Sequence, residues 1–310
     1  MRALVTGAAG FVGSHLCERL VARGDSVMGV DCFTPYYDRA AKQANAELVR
    51  IAGVELVELD LRTGDVLQLL DGIDVVFHLA GQPGVRLSWS DGFAEYVEHN
   101  VLVTQRLLEA ARDRRVGRFV FASSSSVYGN QLRYPTRETD VPAPHSPYGV
   151  TKLAAEQLCS LYGANWGVPT VSLRYFTVYG PRQRPDMAIH RLCEAVLGRA
   201  TFPLYGDGSA VREFTFVDDI VSGNLAAANA DIEPGLVVNL AGGSEIRLRE
   251  LIALVGDISG RVVPVEQHAP MPGDSLRNGG AIDRARDLLG WEPRVALRDG
   301  LAAQLAWHTT

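Results

Sequence analysis

The chain of 310 residues is 47% hydrophobic, so it can fill the core of one or two domains. Its net charge of −6 at pH 7 gives no basic field for nucleic acid, and no apolar run approaches membrane-spanning length. Because the first residues are typical of a strand rather than a targeting segment, we expect a cytoplasmic protein.

The first element is predicted to be a β-strand over residues 2–6, an apolar run with β-branched side chains. A glycine-rich turn follows, and residues 14–23 then carry apolar side chains at helical spacing. Glycines in such a turn let the backbone approach a pyrophosphate, whose charge the N–H groups of the helix N-terminus receive. The candidate dinucleotide contacts in the turn are Gly7, Gly10, Phe11, Val12 and Gly13.

A second strand is predicted over residues 26–30, and Asp31 closes it. Glycines alone are also found in ordinary strand-to-helix turns, so this acid is an important part of the pattern. A carboxylate here can accept hydrogen bonds from both ribose hydroxyls of an adenosine and would repel a 2′-phosphate. The β-α-β unit therefore predicts dinucleotide binding, with NAD favoured over NADP.

Three further apolar runs, at residues 54–59, 75–79 and 118–122, are predicted strands separated by helical patterns. Continuous apolar strands between amphipathic helices are typical of an α/β fold, a doubly wound parallel sheet covered on both faces. Ligands of such sheets lie outside the carboxyl ends of the strands. The candidate cofactor contacts at those ends are Asp60, Leu61, Leu79, Ala80, Gly81 and Ser123.

A Tyr-x-x-x-Lys pair, Tyr148 and Lys152, follows a run of four serines at residues 123–126. On a helix these two side chains share one face, and a nearby cation favours the phenolate. Tyr148 is therefore a candidate general base, and Lys152 is the candidate group that lowers its pKa. The spacing alone is also typical of an exposed helix pair, so the prediction depends on the surrounding motifs.

Several other polar residues have a structural interpretation. His78 lies inside an apolar strand pattern, so we expect a hydrogen-bonded core histidine. Asp218 and Asp219 are explained as acids at a helix N-terminus. The histidines without metal-like clustering are His99, His145, His190 and His268. We therefore predict no metal site, and we expect the scattered cysteines to be reduced and structural.

At several motifs the chain resembles the extended short-chain dehydrogenases that modify nucleotide sugars. The matching segments span nearly the whole chain and lie at residues 6–13, 78–81, 123–129, 147–152, 174–181 and 212–220. Within that family, residues 80–86 and 180–188 are most similar to UDP-glucuronate 4-epimerases.

The resemblance implies a Rossmann-type NAD-binding domain at residues 1–173, with a return segment at about 212–240. It implies a smaller nucleotide-sugar-binding lobe at residues 174–211 and 241–310. By the same likeness, Ser124 and Tyr148 contact the sugar 4-hydroxyl, and Lys152 contacts the nicotinamide ribose. The further cofactor contacts that we infer are Asn100, Tyr175 and Val178.

Members of this family oxidise the sugar at C4 to a ketone with NAD, and neighbouring side chains decide the fate of that ketone. Dehydratases that resemble the chain carry an Asp-Glu pair directly after the position of Ser124, and decarboxylases carry a Glu beside the catalytic hydroxyl. Here Ser125 and Ser126 follow, and serine cannot supply carboxylate acid–base chemistry at neutral pH. The resemblance therefore implies epimerisation, which needs no further acid and consumes no NAD.

A sugar that carries a C6 carboxylate would need a cation or several donors, because an unpaired anion in a closed site is costly. Arg184 and Arg86 are the candidate cations, and Thr177 and Ser125 are the candidate neutral donors. Either arginine could instead bind a diphosphate or remain a surface charge. Epimerases of glucose and galactose in the family generally have Asn where Thr177 stands. This favours UDP-glucuronate over UDP-glucose or UDP-N-acetylglucosamine.

The nucleotide end is expected in the second lobe, where the resemblance places Arg212 on the diphosphate. Arg277 is a candidate second clamp, and Asp274 is a candidate ribose contact in a substrate loop. The other candidate substrate contacts are Met187, Ala188, Leu204 and Tyr205. Residues 278–280 are richer in glycine than in close relatives, which predicts a mobile loop.

Two long helices are predicted at residues 92–112 and 147–163. Relatives pair these helices across a two-fold axis, which implies a homodimer, although burial of the same apolar residues within one chain would explain the pattern as well. An alternative from another class is a catalytically silent NAD-binding sensor on this scaffold. The presence of Ser124, Tyr148 and Lys152 favours the enzyme.

Overall fold

The computed structural model describes residues 1–270 and 276–309. The strands are β1 (Arg2–Thr6), β2 (Ser26–Asp31), β3 (Glu55–Glu58), β4 (Val75–His78), β5 (Arg118–Ser124), β6 (Thr170–Tyr175), β7 (Thr177–Tyr179), β8 (Phe202–Tyr205), β9 (Val211–Phe216), β10 (Leu236–Leu240), β11 (Glu245–Arg247) and β12 (Val265–His268). The α-helices are α1 (Phe11–Ala22), α2 (Arg39–Ile51), α3 (Val66–Leu69), α4 (Phe93–Tyr96), α5 (Val103–Arg114), α6 (Pro147–Trp166), α7 (Ala188–Val196), α8 (Val217–Asn229), α9 (Leu248–Ser259), α10 (Asp283–Leu289) and α11 (Leu297–Thr309). Within the described residues, none of the helices combines the length and apolar character needed to cross a membrane.

Seven strands form the central sheet in the order β10-β6-β5-β4-β1-β2-β3. Every neighbouring pair in it is parallel. The chain builds outward from β1 to β3 and then returns to place β4 on the other side of β1, so the strand order reverses between β1 and β4. This confirms the predicted doubly wound α/β fold, in which ligands bind at such a reversal.

The predicted strands are found because a sheet covered on both faces needs continuous apolar side chains. Alternate residues of one strand enter different cores: Val5 packs on one face of the sheet and Leu4 on the other. The strand predicted at residues 54–59 is shorter, since β3 is the edge strand and its terminal glutamates are exposed. β5 is longer than predicted and runs through Ser124, so the serine run begins inside the sheet.

The helix predicted at residues 92–112 is composite. α4 leads into a π-helical segment, Val97–Leu102, and α5 then continues to Arg114. The second predicted helix, α6, begins where the Ser146 side chain accepts a hydrogen bond from the Gly149 N–H. It has Pro147 in its first turn and ends at Gly167, whose φ of 65° is left-handed. These caps fix the position of the helix that carries the Tyr-Lys pair.

Two small sheets lie outside the central one. One has the order β11-β9-β7, and the other pairs β12 with β8. β9 belongs to the first of these, and α8 then leads back to β10 in the central sheet. The segment predicted to return to the first domain thus contains one strand of a small sheet before it rejoins the central sheet. The domain boundaries themselves stay a prediction.

Candidate active site

A deep cavity lies at the carboxyl ends of the central strands, where the strand order reverses. Its volume is about 1290 Å³, and its wall extends from the Gly7 turn to Tyr205 in the smaller sheets. Sites for a single small molecule usually measure roughly 300–1,000 Å³. A cavity of this size can therefore hold a dinucleotide and a second ligand together.

The glycine turn at one end of the cavity can be built only with glycine. Gly7 has a φ of +72°, and a Cβ on Gly13 would lie 2.1 Å from the Gly7 carbonyl oxygen. Helix α1 can therefore come this close to the turn only because residue 13 has no side chain. α1 also begins without a side-chain cap, which leaves N–H groups of its first turn to bind an anion.

Asp31 is buried and held in place by the backbone around it. Its Oδ2 accepts from the Ala9 N–H at 3.1 Å, and its Oδ1 accepts from the Phe33 N–H at 2.8 Å. Lys42 Nζ lies 3.6 Å from the Oδ1 atom. These contacts fix a carboxylate in the cavity wall beside the glycine turn, as recognition of an adenosine ribose requires.

Ser124, Tyr148 and Lys152 meet in the wall of the same cavity. Ser124 is the last residue of β5, and its hydroxyl lies near the phenol of Tyr148, in the first turn of α6, where it acts to lower the pKa of that phenol. One turn later, Lys152 Nζ donates to the Ala122 carbonyl oxygen at 3.0 Å. The hydroxyl, phenol and ammonium groups predicted from separate motifs therefore lie together.

The pKa of Tyr148 is raised above its ordinary value, chiefly by burial. The Ser124 hydroxyl and the positive charge of Arg184 oppose this rise. The expectation that Lys152 lowers the phenol's pKa is therefore wrong for this arrangement, in which the ammonium bonds a backbone carbonyl. Burial lowers the pKa of Lys152 itself to about 8, because a site with little water disfavours the charged form.

Arg184 is oriented by Asp186. Its Nε and Nη2 donate to the two carboxylate oxygens of Asp186, each at 2.9 Å. The Tyr36 hydroxyl also donates to Asp186, at 3.4 Å, and the guanidinium carbon lies 5.8 Å from the centre of the Tyr36 ring. These bonds use one edge of the guanidinium, and its other edge, Nη1–Nη2, has the geometry that binds a second carboxylate.

Asn278 forms part of the wall around the predicted sugar position. Its side-chain N–H donates to Ser125 Oγ at 3.0 Å, although the two residues are 153 positions apart. Thr177, the other predicted neutral donor, lines the cavity as well. The residues of this wall that sequence reasoning missed are Tyr36, Asp186, Arg191 and Asn278. Asp186 lies within residues 180–188, which the sequence analysis singled out, but nothing in the sequence indicated that it pairs with Arg184.

Aromatic rings mark the opposite end of the cavity. The Arg86 guanidinium lies over the Tyr205 ring, 4.2 Å from its centre, and Tyr205 stacks on His268 at 5.3 Å. Arg212 lines the same cavity and donates to the Val211 carbonyl oxygen at 2.9 Å. Arg86 therefore contacts the Tyr205 ring, whereas Arg184 contacts the Tyr36 ring. This separation favours Arg86 as a contact of the nucleotide end and Arg184 as a contact of the sugar.

Three predicted contacts in the described residues do not line the cavity. Asn100 is buried behind it and accepts from the Gln82 N–H at 2.7 Å. Leu204 packs against the core. Arg277 forms an ion pair with Glu245 instead of extending into the cavity, with Nε 3.0 Å from the carboxylate. Asp274 lies outside the described residues, and the roles of the individual residues stay predictions.

The glycines after Asn278 have a packing reason. A Cβ on Gly279 would lie 2.0 Å from Glu245 Oε1, and one on Gly280 would lie 2.4 Å from the Phe176 ring. Gly280 N–H also donates to the buried Glu213 at 2.6 Å. Residues 278–280, at the end of the predicted loop, are closely packed, and the mobility of the loop stays a prediction.

His78 is the hydrogen-bonded core histidine that the sequence predicts. It is fully buried in β4, with Nδ1 2.8 Å from Thr6 Oγ1 and Nε2 3.0 Å from Thr104 Oγ1. Burial lowers its pKa to about 3, so the ring is neutral at pH 7. It supports the sheet and does not line the cavity.

The prediction that His190 has no clustering is wrong. His190, Glu194 and His308 each place a ligand-type atom within 4.8 Å of the others, across α7 and α11. Hydrogen bonds account for the group: His190 Nδ1 lies 2.8 Å from the Gln183 carbonyl oxygen, and His308 Nδ1 lies 2.9 Å from Glu194 Oε1. The expected lack of a metal stays a prediction.

A Ser-Tyr-Lys group beside a dinucleotide turn, in a cavity that the smaller sheets also line, defines a short-chain dehydrogenase of the extended type. The model of the NAD dependent epimerase/dehydratase family matches residues 3–241. The chain belongs to that family, and NAD is its cofactor. The glycine cradle and the fixed carboxylate of Asp31 fit this cofactor.

Known relatives cover the chain from end to end. The uncharacterized UDP-glucose epimerase YtcB of Bacillus subtilis is 42% identical, over 99% of this chain and 98% of its own length. A UDP-glucuronate 4-epimerase of Thermodesulfobacterium geofontis is 34% identical over 98% and 95%. Among solved structures, UDP-glucuronic acid 4-epimerase of Bacillus cereus, in complex with UDP-glucuronic acid and NAD, is 40% identical with a TM-score of 0.96. That likeness covers 100% of this chain and 99% of the other.

Gly13→Ala is expected to remove most bound NAD from the purified protein. The added methyl would meet the Gly7 carbonyl oxygen, so α1 would have to move away from the turn that holds the pyrophosphate. We expect at least a tenfold loss of NAD affinity, measured by calorimetry on protein stripped of cofactor. The control is Gly24→Ala, which strains the backbone at a φ of +86° but meets no atom within 4 Å, so it should cost stability and leave NAD affinity unchanged. Unchanged NAD affinity in Gly13→Ala would contradict the role of the turn.

Proposed function

We propose that the protein is a UDP-sugar 4-epimerase that interconverts UDP-glucuronate and UDP-galacturonate. The observation that supports this most directly is that Ser124, Tyr148 and Arg184 line one cavity, where the Ser124 hydroxyl and the Arg184 charge both act to lower the pKa of the phenol. Ser124 and Tyr148 are suited to bind and deprotonate a sugar hydroxyl, and Arg184 is suited to bind a carboxylate.

In the proposed reaction, Tyr148 Oη takes the proton of the sugar 4-hydroxyl and later returns it. NAD, when bound, would supply the hydride acceptor for C4, and inversion would require the sugar to rotate so that hydride returns to the opposite face of the ketone. Ser124 holds the sugar oxygen beside the phenol through its own hydroxyl, and Lys152 provides a positive charge in the same cavity wall, one turn further along α6. The ammonium is half titrated at about pH 8, so this charge weakens above that pH.

Epimerisation is favoured over elimination of water or loss of CO₂ because no carboxylate directly follows Ser124, and Asp186, which lines the same cavity, is already paired with Arg184. The residues after Ser124 are Ser125 and Ser126, and both line the cavity. Ser125 is hydrogen-bonded to Asn278, which is also neutral. A ketone formed at C4 would therefore meet hydroxyl and amide groups, which do not exchange protons at neutral pH as a carboxylate would.

The uronate is favoured over neutral sugars by Arg184. Its pairing with Asp186 leaves the edge between Nη1 and Nη2 suitably placed for a carboxylate, and Ser125 and Thr177 add hydroxyl donors on the same cavity wall. The UDP-glucuronate 4-epimerases among the relatives support this choice. The protein is then expected to take the C6 carboxylate as a bidentate partner of the arginine.

A specific observation supports a second candidate, epimerisation of UDP-glucose. Asp186 already neutralises Arg184, so the pair as a whole carries no net charge and could accept a neutral C6 hydroxyl. The relative from Bacillus subtilis carries the name UDP-glucose epimerase. The catalytically silent sensor remains the alternative from another class.

Separate incubations with UDP-glucuronate, UDP-glucose and UDP-N-acetylglucosamine distinguish these functions. We expect UDP-glucuronate to be converted to its C4 epimer, resolved by ion-exchange chromatography, without net accumulation of NADH. Conversion of a neutral sugar alone would replace the proposed substrate by the second candidate. A lack of conversion of all three sugars by protein that retains NAD would leave the sensor.

We also propose a homodimer that pairs α5 and α6 with their copies. Within one chain the core accounts for Val103, Leu107 and Leu108, which are at most 2% exposed. Leu102 and Leu161, however, remain 46% and 53% exposed, so their apolar surface needs another cover. Light scattering of the purified protein at micromolar concentration should give twice the chain mass of 33.6 kDa. Leu161→Glu should shift the mass toward one chain, and a monomeric parent would contradict the proposal.

A further inference from the structure

Three successive residues of β5 are tied to three successive turns of α6. Ala122 accepts from Lys152 Nζ at 3.0 Å, Ser123 Oγ donates to Glu156 Oε2 at 2.7 Å, and the Ser124 hydroxyl lies near the Tyr148 phenol, whose pKa it acts to lower. The helix residues are spaced by four, so they lie on one face of α6. Two of these contacts carry the proposed chemistry, and the third, between Ser123 and Glu156, has no role in it.

The Glu156 carboxylate is completely buried and held from two strands. Arg174 in β6 donates to it from Nε at 3.0 Å and from Nη2 at 2.6 Å. Arg174 lies directly opposite Ser123 in the pairing of β5 with β6, and it is only 3% exposed. One carboxylate thus joins α6 to the ends of both strands through three hydrogen bonds.

Such a group is an unusual way to hold a helix on a sheet. Burying an ion pair has a large desolvation cost, so apolar residues of the same volume often stabilise a protein as well or better. Charge-assisted hydrogen bonds with fixed directions do, however, define one relative position of the elements they join. Glu156 and Arg174 do not line the cavity, so any influence on the reaction must pass through other residues.

We propose that Glu156 is a positioning residue that fixes the register of α6 against the end of β5, so that Tyr148 and Ser124 hold one sugar hydroxyl together. The inference depends on the proposed function for its effect on turnover. Its effect on the contact between Ser124 and Tyr148 is expected whether or not the protein is an epimerase. A misplacement of about 1 Å between such groups can cost about 100-fold in rate.

The first variant to test is Ser123→Ala, which removes one hydroxyl and leaves the Glu156–Arg174 pair in place. The matched control is Ser160→Ala on the same helix, where the hydroxyl donates to the Gly235 carbonyl oxygen at 3.2 Å outside the cavity. We expect kcat at saturating NAD to fall about tenfold in Ser123→Ala, with KM for the UDP-sugar unchanged. Ser160→Ala should match the parent.

A second variant, Glu156→Asp, keeps the charge for Arg174 but withdraws it by one methylene. We expect a larger loss of kcat than in Ser123→Ala, because both strand contacts lengthen. Ser123→Ala still decides the proposal if this variant fails to fold. Equal kcat in Ser123→Ala and Ser160→Ala would overturn the proposal.

A readout that needs no substrate separates this proposal from the proposed function. The Ser124 hydroxyl acts to lower the pKa of Tyr148, so a displaced hydroxyl should move the titration of the phenol to higher pH in Ser123→Ala. The titration is followed by NMR of Cζ-labelled tyrosine, and the Tyr148 signal is assigned by its loss in Tyr148→Phe. An unchanged titration would overturn the positioning role. If the titration shifts in Ser123→Ala but the parent protein shows no epimerase activity, only the proposed function is removed.

Discussion

Tyr148→Phe is expected to lower kcat for UDP-sugar epimerisation by about 1,000-fold, within the range usual for loss of a general base. The change removes the phenol hydroxyl near Ser124 and leaves the ring in place against Tyr96, whose centre lies 6.2 Å away. Without Oη, no group of comparable position can take the proton of the 4-hydroxyl. The loss corresponds to about 4 kcal/mol of activation free energy.

The variant should retain NAD, because the glycine turn and Asp31 lie on other elements of the cavity wall. Turnover is measured by chromatography of the C4 epimers, and retained cofactor by absorbance of the denatured protein. Tyr162→Phe is the matched control, since it removes a hydroxyl of the same helix that bonds Glu109 outside the cavity. A Tyr148→Phe variant within tenfold of the parent would exclude the phenol as the base.

Arg184→Ala is expected to lower kcat/KM for UDP-glucuronate by about 100-fold and for UDP-glucose by no more than about threefold. Hydrogen bonds to a charged group contribute about 1.5–3 kcal/mol, and the lost guanidinium would have made two of them. The variant also leaves Asp186 without its bidentate partner, so the uronate would meet a negative charge. A neutral sugar would not experience this repulsion.

Both substrates are measured on each variant, so a general loss of structure would be seen as an equal loss on the two sugars. Arg199→Ala serves as the control, because Arg199 is an exposed arginine of the same region that pairs with Glu194 away from the cavity. Arg86→Ala should reduce kcat/KM for both sugars alike, since Arg86 lies over Tyr205, where we propose that the nucleotide binds. Equal losses on both sugars in Arg184→Ala would remove Arg184 as the carboxylate contact.

Much of the fold could be predicted because its signals are local. An apolar run followed at once by Gly7, Gly10 and Gly13 allows few backbone arrangements, and the structure has the strand, turn and helix in that order. The acid at the end of the next strand and the i,i+4 spacing of Tyr148 and Lys152 are equally local. Parallel topology then brings the strand ends to one cavity, as the pattern of alternating elements indicates.

The contacts that the sequence does not indicate lie where distant segments meet. The sequence predicts a phosphate clamp at Arg277, but a neighbouring strand places Glu245 beside it and the guanidinium pairs there. The glycines at residues 279 and 280 allow close packing against Glu245 and Phe176. In each case the partner is supplied by another part of the chain, so the sequence around the residue holds no information on the contact.

The class of fold, the dinucleotide turn and the identity of the hydroxyl, phenol and ammonium groups could all be read from the chain before it is folded. They depend on backbone sterics and on the periodicity of single elements, which a short segment specifies alone. The folded arrangement was needed to show how these groups are tuned: Ser124 and Arg184 lower the pKa of Tyr148, Asp186 orients Arg184, and Asn278 reaches Ser125 across 153 positions. Electrostatic interactions and hydrogen bonds depend on distance in space, and that distance is set by the packing of the whole chain.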